Sequence, residues 1–126
     1  MKKVISTDHA PAAIGPYSQA IEAGPFLFCS GQIALSADKN APIPADLKGQ
    51  TEQVMANIGA VLKAGGRDYA DIVKTTIFLT DMNDFATVNE IYGRFFPQNP
   101  PARSTVAVAG LPRGVKVEIE VLAFKG

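Results

Sequence analysis

The octapeptide IVKTTIFL, Ile72–Leu79, is dense in β-branched residues and free of glycine and proline, so it reads as a strand. Its period of two sets Val73, Ile77 and Leu79 on one side and Ile72 and Phe78 on the other. A strand with one wet face alternates apolar with polar residues. Here both sides carry apolar residues, so both faces of the sheet that holds this strand need cover.

Two segments can supply that cover as helices. Beyond the proline-bearing loop ADKNAPIPAD, Asp46 is placed to cap a helix whose Leu47, Val54, Met55, Ile58, Val61 and Leu62 share one stripe, ended by Gly65 and Gly66. Asp84, Phe85, Val88, Ile91, Tyr92, Phe95 and Phe96 form a second stripe that stops at Pro97. YSQAIEA and FLFCSGQIA, joined at Gly24 and Pro25, read as a hairpin. RSTVAVAGL, a turn at PRG and the alternating VKVEIEVLAF close the chain. The order strand, strand, helix, strand, helix, strand, strand favours an α+β fold with two helices on one face of a sheet. Two helices leave the other face bare, and a second copy of the chain is expected to bury it.

The totals limit the function. Residues 1–126 are expected to form one domain, long enough to bury roughly two thirds of the unfolded surface. Lys+Arg and Asp+Glu number 12 each, so no charge excess draws the chain to nucleic acid or acidic lipid. One cysteine forms no internal disulfide, and with a single histidine it is too little for a zinc site unless carboxylates or another chain help, so a reducing compartment and no structural metal are expected. The start, MKKVISTDHAPAA, has no apolar run of signal-peptide length, and nothing elsewhere approaches the ~18 apolar residues of a membrane span. A soluble, cytoplasmic protein is expected.

Several residues are candidates for chemistry. After Pro101 the period of two puts Arg103 and Thr105 on one face and Ser104 and Val106 on the other. In the last strand Val115, Val117, Ile119 and Val121 line one face, and Lys116, Glu118 and Glu120 the opposite one. A hairpin between these two strands would bring Arg103 towards Glu118, in a register the sequence leaves open. The pair reads either as a structural salt bridge or as a guanidinium fork for a small carboxylate beside a glutamate that handles protons. Gly31 marks either a twist or bulge, or a point where a ligand meets the backbone. Cys29 reads as a small buried hydrophobe, His9 as a surface residue, Tyr17 as a packed ring or a pocket cap, and Asn89 as a solvent-facing amide. There is no phosphate loop, dinucleotide fingerprint, HExxH, Gly-x-Ser-x-Gly or CxxC, so cofactor-dependent chemistry has no foothold.

Taken together, APAAIGPYSQAI, SGQIAL, DIVKTTIFLTDMNDFATVNEIYGRFF and PPARSTVAVAGLPRGVKVEIEVLA resemble the Rid family over nearly the whole chain, and within it the RidA subfamily of 2-iminobutanoate/2-iminopropanoate deaminases. The most specific parts are GPYSQA, the PARS strand and the terminal VEIE. The resemblance implies a chorismate-mutase-like α+β fold with a mixed sheet, assembled as a homotrimer around a central β-barrel. It also implies three sites in clefts between chains. There, enamine and imine products of pyridoxal-phosphate-dependent dehydratases are hydrolysed to 2-oxo acids and ammonia without a cofactor.

By the same resemblance Arg103 holds the substrate carboxylate and Glu118 positions the attacking water and moves protons. Tyr17, the backbone at Ser30 and Gly31, and Asn89 form the rest of the pocket wall. Thr105 stands where many relatives have cysteine; it keeps a hydroxyl and a carbonyl but removes any role for a thiol. FFPQNPPARS is shorter than in some relatives and bears on the mouth of the cleft. A non-catalytic module that binds 2-oxo acids, or regulates a partner, is the alternative on the same residues.

Overall fold

The computed structural model describes every residue, Met1–Gly126. Six strands form one sheet: β1 Lys2–Ile5, β2 Ala20–Ala23, β3 Phe26–Cys29, β4 Ile72–Leu79, β5 Ala102–Ala107 and β6 Val117–Phe124. Two helices, α1 Leu47–Ala64 and α2 Phe85–Gly93, pack on one face of it. The α+β architecture is therefore the expected one, with a mixed sheet and both helices on one side. No helix is long and apolar enough to cross a membrane.

The strand order is β1-β2-β3-β6-β4-β5, and β4/β5 is the one parallel pair. β6 lies between β3 and β4, antiparallel to both. The burial pattern explains this placement. Val117, Ile119 and Ala123 of β6 are completely buried, as a central strand requires, whereas β5 has no buried residue and forms an edge. The expected hairpin of the last two strands is thus not present. A parallel pair needs a crossover, and α2 supplies it between β4 and β5. The PRG turn, a short 3₁₀ segment at Pro112–Gly114, carries the chain across β4 to β6 instead.

The core lies between sheet and helices. Val54, Met55, Ile58, Val61 and Leu62 of α1 meet Leu27 of β3, Ile77 and Leu79 of β4, and Val117 and Ile119 of β6. Each such side chain, fully buried, contributes about 1.5–3 kcal/mol. Asp46 occupies the N-cap of α1, but its side chain makes no capping hydrogen bond. Gly65 is the C-cap, and Gly66, with φ +73°, turns the chain out of the helix as the left-handed region favours. α2 ends at Gly93, short of the expected Pro97, and Phe95 and Phe96 continue only as tight turns, donating to the carbonyls of Tyr92 and Gly93.

Two further details differ from expectation. The N-terminal KKVI forms edge strand β1 against β2, with only Ile5 buried. A bulge between Ile72 and Lys74 shifts the phase of β4. Ile72 thereby joins Thr75, Ile77 and Leu79 on the helix side, and Val73 turns outward at 42% exposure. The face turned from the helices still carries a bare apolar surface, built from Phe26, Phe28, Val106 and Phe124 rather than from Ile72. Phe26 packs against both Phe28 and Phe124 there.

Candidate active site

Arg103 is the second residue of β5, opposite Thr75 of β4, and its side chain rises towards α2. The crossover βαβ unit places it there. Its Nη1 donates a 2.7 Å hydrogen bond to Asn89 Oδ1. The guanidinium carbon lies over two aromatic rings of the same helix, 5.3 Å from the centroid of Phe85 and 5.2 Å from that of Tyr92. Tyr92 is buried, and its hydroxyl shares a 2.8 Å hydrogen bond with Thr75 Oγ1. Burial raises the Tyr92 phenol above the usual tyrosine value, opposed by the Thr75 hydrogen bond and the Arg103 charge, so it stays neutral at physiological pH.

No aspartate or glutamate pairs with Arg103; the ion pairs of the chain belong to Arg67 and Arg94. Space opens on both sides of the guanidinium. One cleft of about 430 Å³ is lined by Asn89, Tyr92, Gly93, Phe96, Pro101 and Arg103 among others, and a second of about 420 Å³ by Met82, Phe85, Arg103 and Thr105. Thr105 Oγ1 is buried and makes no hydrogen bond within the chain. A permanent cation with neutral neighbours beside a cleft is suited to bind a small anion through its free N–H groups.

Glu118 belongs to the other face. It is opposite Phe78 of β4, in the set turned away from the helices. Its carboxylate fills the space that a side chain at residue 31 would need, because a Cβ built on Gly31 would stand 2.2 Å from Glu118 Oε2. Gly31 follows β3 just before Gln32, which rejoins the sheet through an isolated bridge to Ile119. The irregularity and the missing side chain together admit the carboxylate. Burial first, then the neighbouring Glu120 charge, raise the Glu118 carboxyl above the ordinary glutamate value.

Ser30 sits beside Gly31 and is held on both sides: its N–H donates to the Gln19 carbonyl and its hydroxyl to the Ser18 carbonyl. Tyr17 is 53% exposed and lines a separate recess of about 360 Å³ together with Val4, Ile5, Thr7, Ser18 and Gln19. Gln19, buried, anchors this entry segment. Its amide accepts from the Thr7 N–H and donates to the carbonyls of Thr7 and Pro11.

The fold therefore gathers the candidates into two groups. Arg103, Asn89 and Thr105 stand on the helix side of β5, while Glu118, Gly31 and Ser30 gather where β3 leaves β6, with Tyr17 one residue from the Ser18–Ser30 bond. Arg103 and Glu118 are not brought together within one chain. Asn89, expected as a solvent-facing amide or a pocket wall, is an exposed residue that grips Arg103 directly. Phe85 and Tyr92, read from the sequence as core stripe, were missed as neighbours of Arg103, and so was Gln19 as an anchor. The signal for the first two was their spacing with Asn89, at i, i+4 and i+7 on one helix. Cys29 is buried as expected, and burial pushes its thiol up to about 12, against the pull of Arg67. His9 is exposed. No group of three or more His, Cys, Asp or Glu side chains is gathered where it would hold a metal ion.

Residues 7–125 match the family described as Endoribonuclease L-PSP. The Arabidopsis thaliana protein named Reactive Intermediate Deaminase A, chloroplastic, is 52% identical over 97% of this chain. The chain is a Rid-family protein of the RidA subfamily. It spans 65% of that Arabidopsis protein's length. The mouse (Mus musculus) protein named 2-iminobutanoate/2-iminopropanoate deaminase is 48% identical over 100% of this Rid protein and 93% of the mouse chain. Among solved structures, E. coli TdcF with bound serine superposes with a TM-score of 0.93 at 45% identity, covering 98% of this chain and 99% of that one. The α+β fold with its mixed sheet is thus the expected one, while the PARS and VEIE strands flank β4 instead of pairing with each other.

Proposed function

We propose that this protein, a single domain over residues 1–126, hydrolyses short reactive imines and enamines of 2-amino acids, the class of 2-iminobutanoate and 2-iminopropanoate, to 2-oxo acids and ammonia. It is an imine deaminase. The observation that carries the reading is Arg103, held by an amide and two rings but by no carboxylate, beside open clefts. An arginine of this kind has a vacant fork for the substrate's carboxylate, and the substrate supplies the missing anion.

Glu118 supplies the proton chemistry. A protonated imine carbon is already electrophilic, so the site has chiefly to place a water against it. Glu118 accepts a proton from that water as its oxygen bonds to carbon. Glu118 passes that proton to the nitrogen of the resulting carbinolamine; the C–N bond breaks, ammonia leaves with the bonding electrons, and the hydroxyl gives its proton back to Glu118 as the C=O of the 2-oxo acid forms. A carboxylate whose proton affinity is raised by burial is a stronger base than an ordinary glutamate. Ser30, Gly31 and Tyr17 wall the site on the Glu118 side, and Asn89 and Thr105 on the Arg103 side. The chemistry requires no cofactor or metal.

Because Arg103 and Glu118 lie on opposite faces of one sheet, a site with both takes Arg103 from one chain and Glu118 from the next. A closed homotrimer provides three such sites and buries the aromatic face of Phe26, Phe28 and Phe124 in a central barrel, in the cytoplasm or another reducing compartment. The equal numbers of Lys+Arg and Asp+Glu, 12 each, disfavour phosphate-dependent binding of nucleic acid. The test is a coupled assay in which a threonine dehydratase releases 2-iminobutanoate. Added protein accelerates imine decay and Arg103→Ala abolishes the acceleration with the fold intact, whereas a fully active Arg103→Ala overturns the assignment.

A further inference from the structure

We infer that Phe85 and Tyr92 are positioning residues that set the plane of the Arg103 guanidinium for a substrate carboxylate, an inference that rests on reading Arg103 as the carboxylate clamp. Arginine carries a long, rotamer-rich side chain, and a bidentate grip on a carboxylate succeeds only when the planar fork is already oriented. Within the chain Arg103 has one side-chain hydrogen bond, from Nη1 to Asn89. One bond fixes a point and leaves the plane free to turn about it. The Phe85 and Tyr92 rings, at 5.3 and 5.2 Å, remove that freedom.

The rings suit this task better than a carboxylate partner would. Aromatic faces attract a cation through their quadrupole without occupying its N–H groups. The fork stays unspent. One ring is itself immobilised, because Tyr92 is only 3% exposed and its hydroxyl is bonded to Thr75. Thr75 is also the residue opposite Arg103 in the β4–β5 register. Backbone pairing and side-chain contacts thus close a loop through Thr75, Tyr92 and Arg103. Phe85 completes the arrangement from about two turns before Tyr92 on α2, on the side of the cleft that contains Thr105.

The experiment compares the parent with Phe85→Leu, Phe85→Tyr, Tyr92→Phe and Arg103→Ala, using 2-oxobutanoate as the binding probe in calorimetry and the coupled assay for KM and kcat. Phe85→Leu is expected to weaken 2-oxobutanoate binding and raise KM by about two- to thirty-fold, the range of a cation–π contact, with kcat nearly unchanged. Phe85→Tyr, which keeps the ring, restores the parent values. Tyr92→Phe keeps its ring but loses the Thr75 bond and shows a smaller rise of about twofold to fivefold.

Unchanged KM and binding in Phe85→Leu, beside loss of both in Arg103→Ala, overturns the inference and leaves the clamp standing. A lowered melting temperature with parent KM, or a loss confined to kcat, overturns it as well. If Phe85→Leu does not assemble, Phe85→Met, similar in volume and lacking the ring, carries the same comparison. Arg103→Ala that binds 2-oxobutanoate like the parent overturns the clamp, and the positioning role falls with it.

Discussion

Arg103 and Glu118 stand three residues apart along β4, opposite Thr75 and Phe78, yet on opposite faces of the sheet. Side chains on a strand alternate, so an odd separation along one register sends the two groups to different sides whatever their rotamers. The guanidinium looks to α2 and the carboxylate to the bare aromatic face. The proposed site needs both groups, so each chain supplies half of it. The consequences can be tested at the residues that hold each one.

Gly31→Ala places a methyl 2.2 Å from Glu118 Oε2, closer than a real Cβ ever lies to an oxygen, so the carboxylate has to move. Because the obstructing atoms are the end of a flexible side chain, the fold is expected to survive with little loss of stability. A displaced proton acceptor forfeits much of the about 100- to 10,000-fold that general acid–base catalysis supplies. We predict a fall in kcat of at least about tenfold, with 2-oxobutanoate binding near the parent value, measured by the coupled assay and calorimetry.

Asn89 discriminates between holding Arg103 and capturing it. Asn89→Ala removes the hydrogen bond to Nη1 and is expected to weaken 2-oxobutanoate binding by about fivefold to tenfold. Asn89→Asp keeps the geometry but offers Arg103 a carboxylate of its own, which competes with the ligand. Its binding is expected to fall further than that of Asn89→Ala, by more than about tenfold, and to recover partly when salt screens the internal pair.

Glu118 gives a pH dependence of defined sign. Burial and Glu120 raise its folded pKa above the unfolded value, so folding favours the protonated form. The stability this contributes is present below the ordinary glutamate pKa and is lost as pH rises through the folded value. The parent is therefore expected to lose stability relative to Glu118→Gln as pH is raised across that window, measured by urea unfolding. With Glu118 in its proposed role as proton acceptor, activity is expected to need the ionised form, and the acidic limb of kcat/KM to follow the same raised pKa. Glu120→Gln removes the like charge and is expected to move that limb to lower pH.

The parts legible in the sequence are those where one periodicity acts alone. Val117, Ile119 and Val121 alternate with Glu118 and Glu120, and the α1 stripe from Val54 to Leu62 repeats with helical spacing; both elements are where the pattern puts them. What was not legible depends on neighbours distant in the chain. KKVI has one buried residue and no alternation to announce β1. The bulge after Ile72 reverses the side on which Ile72 and Val73 fall, and no residue type marks it. RSTVAVAGL and VKVEIEVLAF look like a hairpin because a short turn joins them. The difference in burial that makes one an edge and the other a centre shows only in the folded chain. The same holds for Gly31, whose purpose is visible only beside Glu118, and for the grip of Phe85, Asn89 and Tyr92 on Arg103, which the crossover creates.

Mixed assembly tests whether Arg103 of one chain and Glu118 of the next form a shared site. Arg103→Ala and Glu118→Gln, each inactive alone in the coupled assay, are denatured together in equal amounts and refolded. If each site draws its arginine from one chain and its glutamate from the next, random trimers regain about a quarter of the parent activity. Hybrids no more active than the two separately refolded variants would contradict the account.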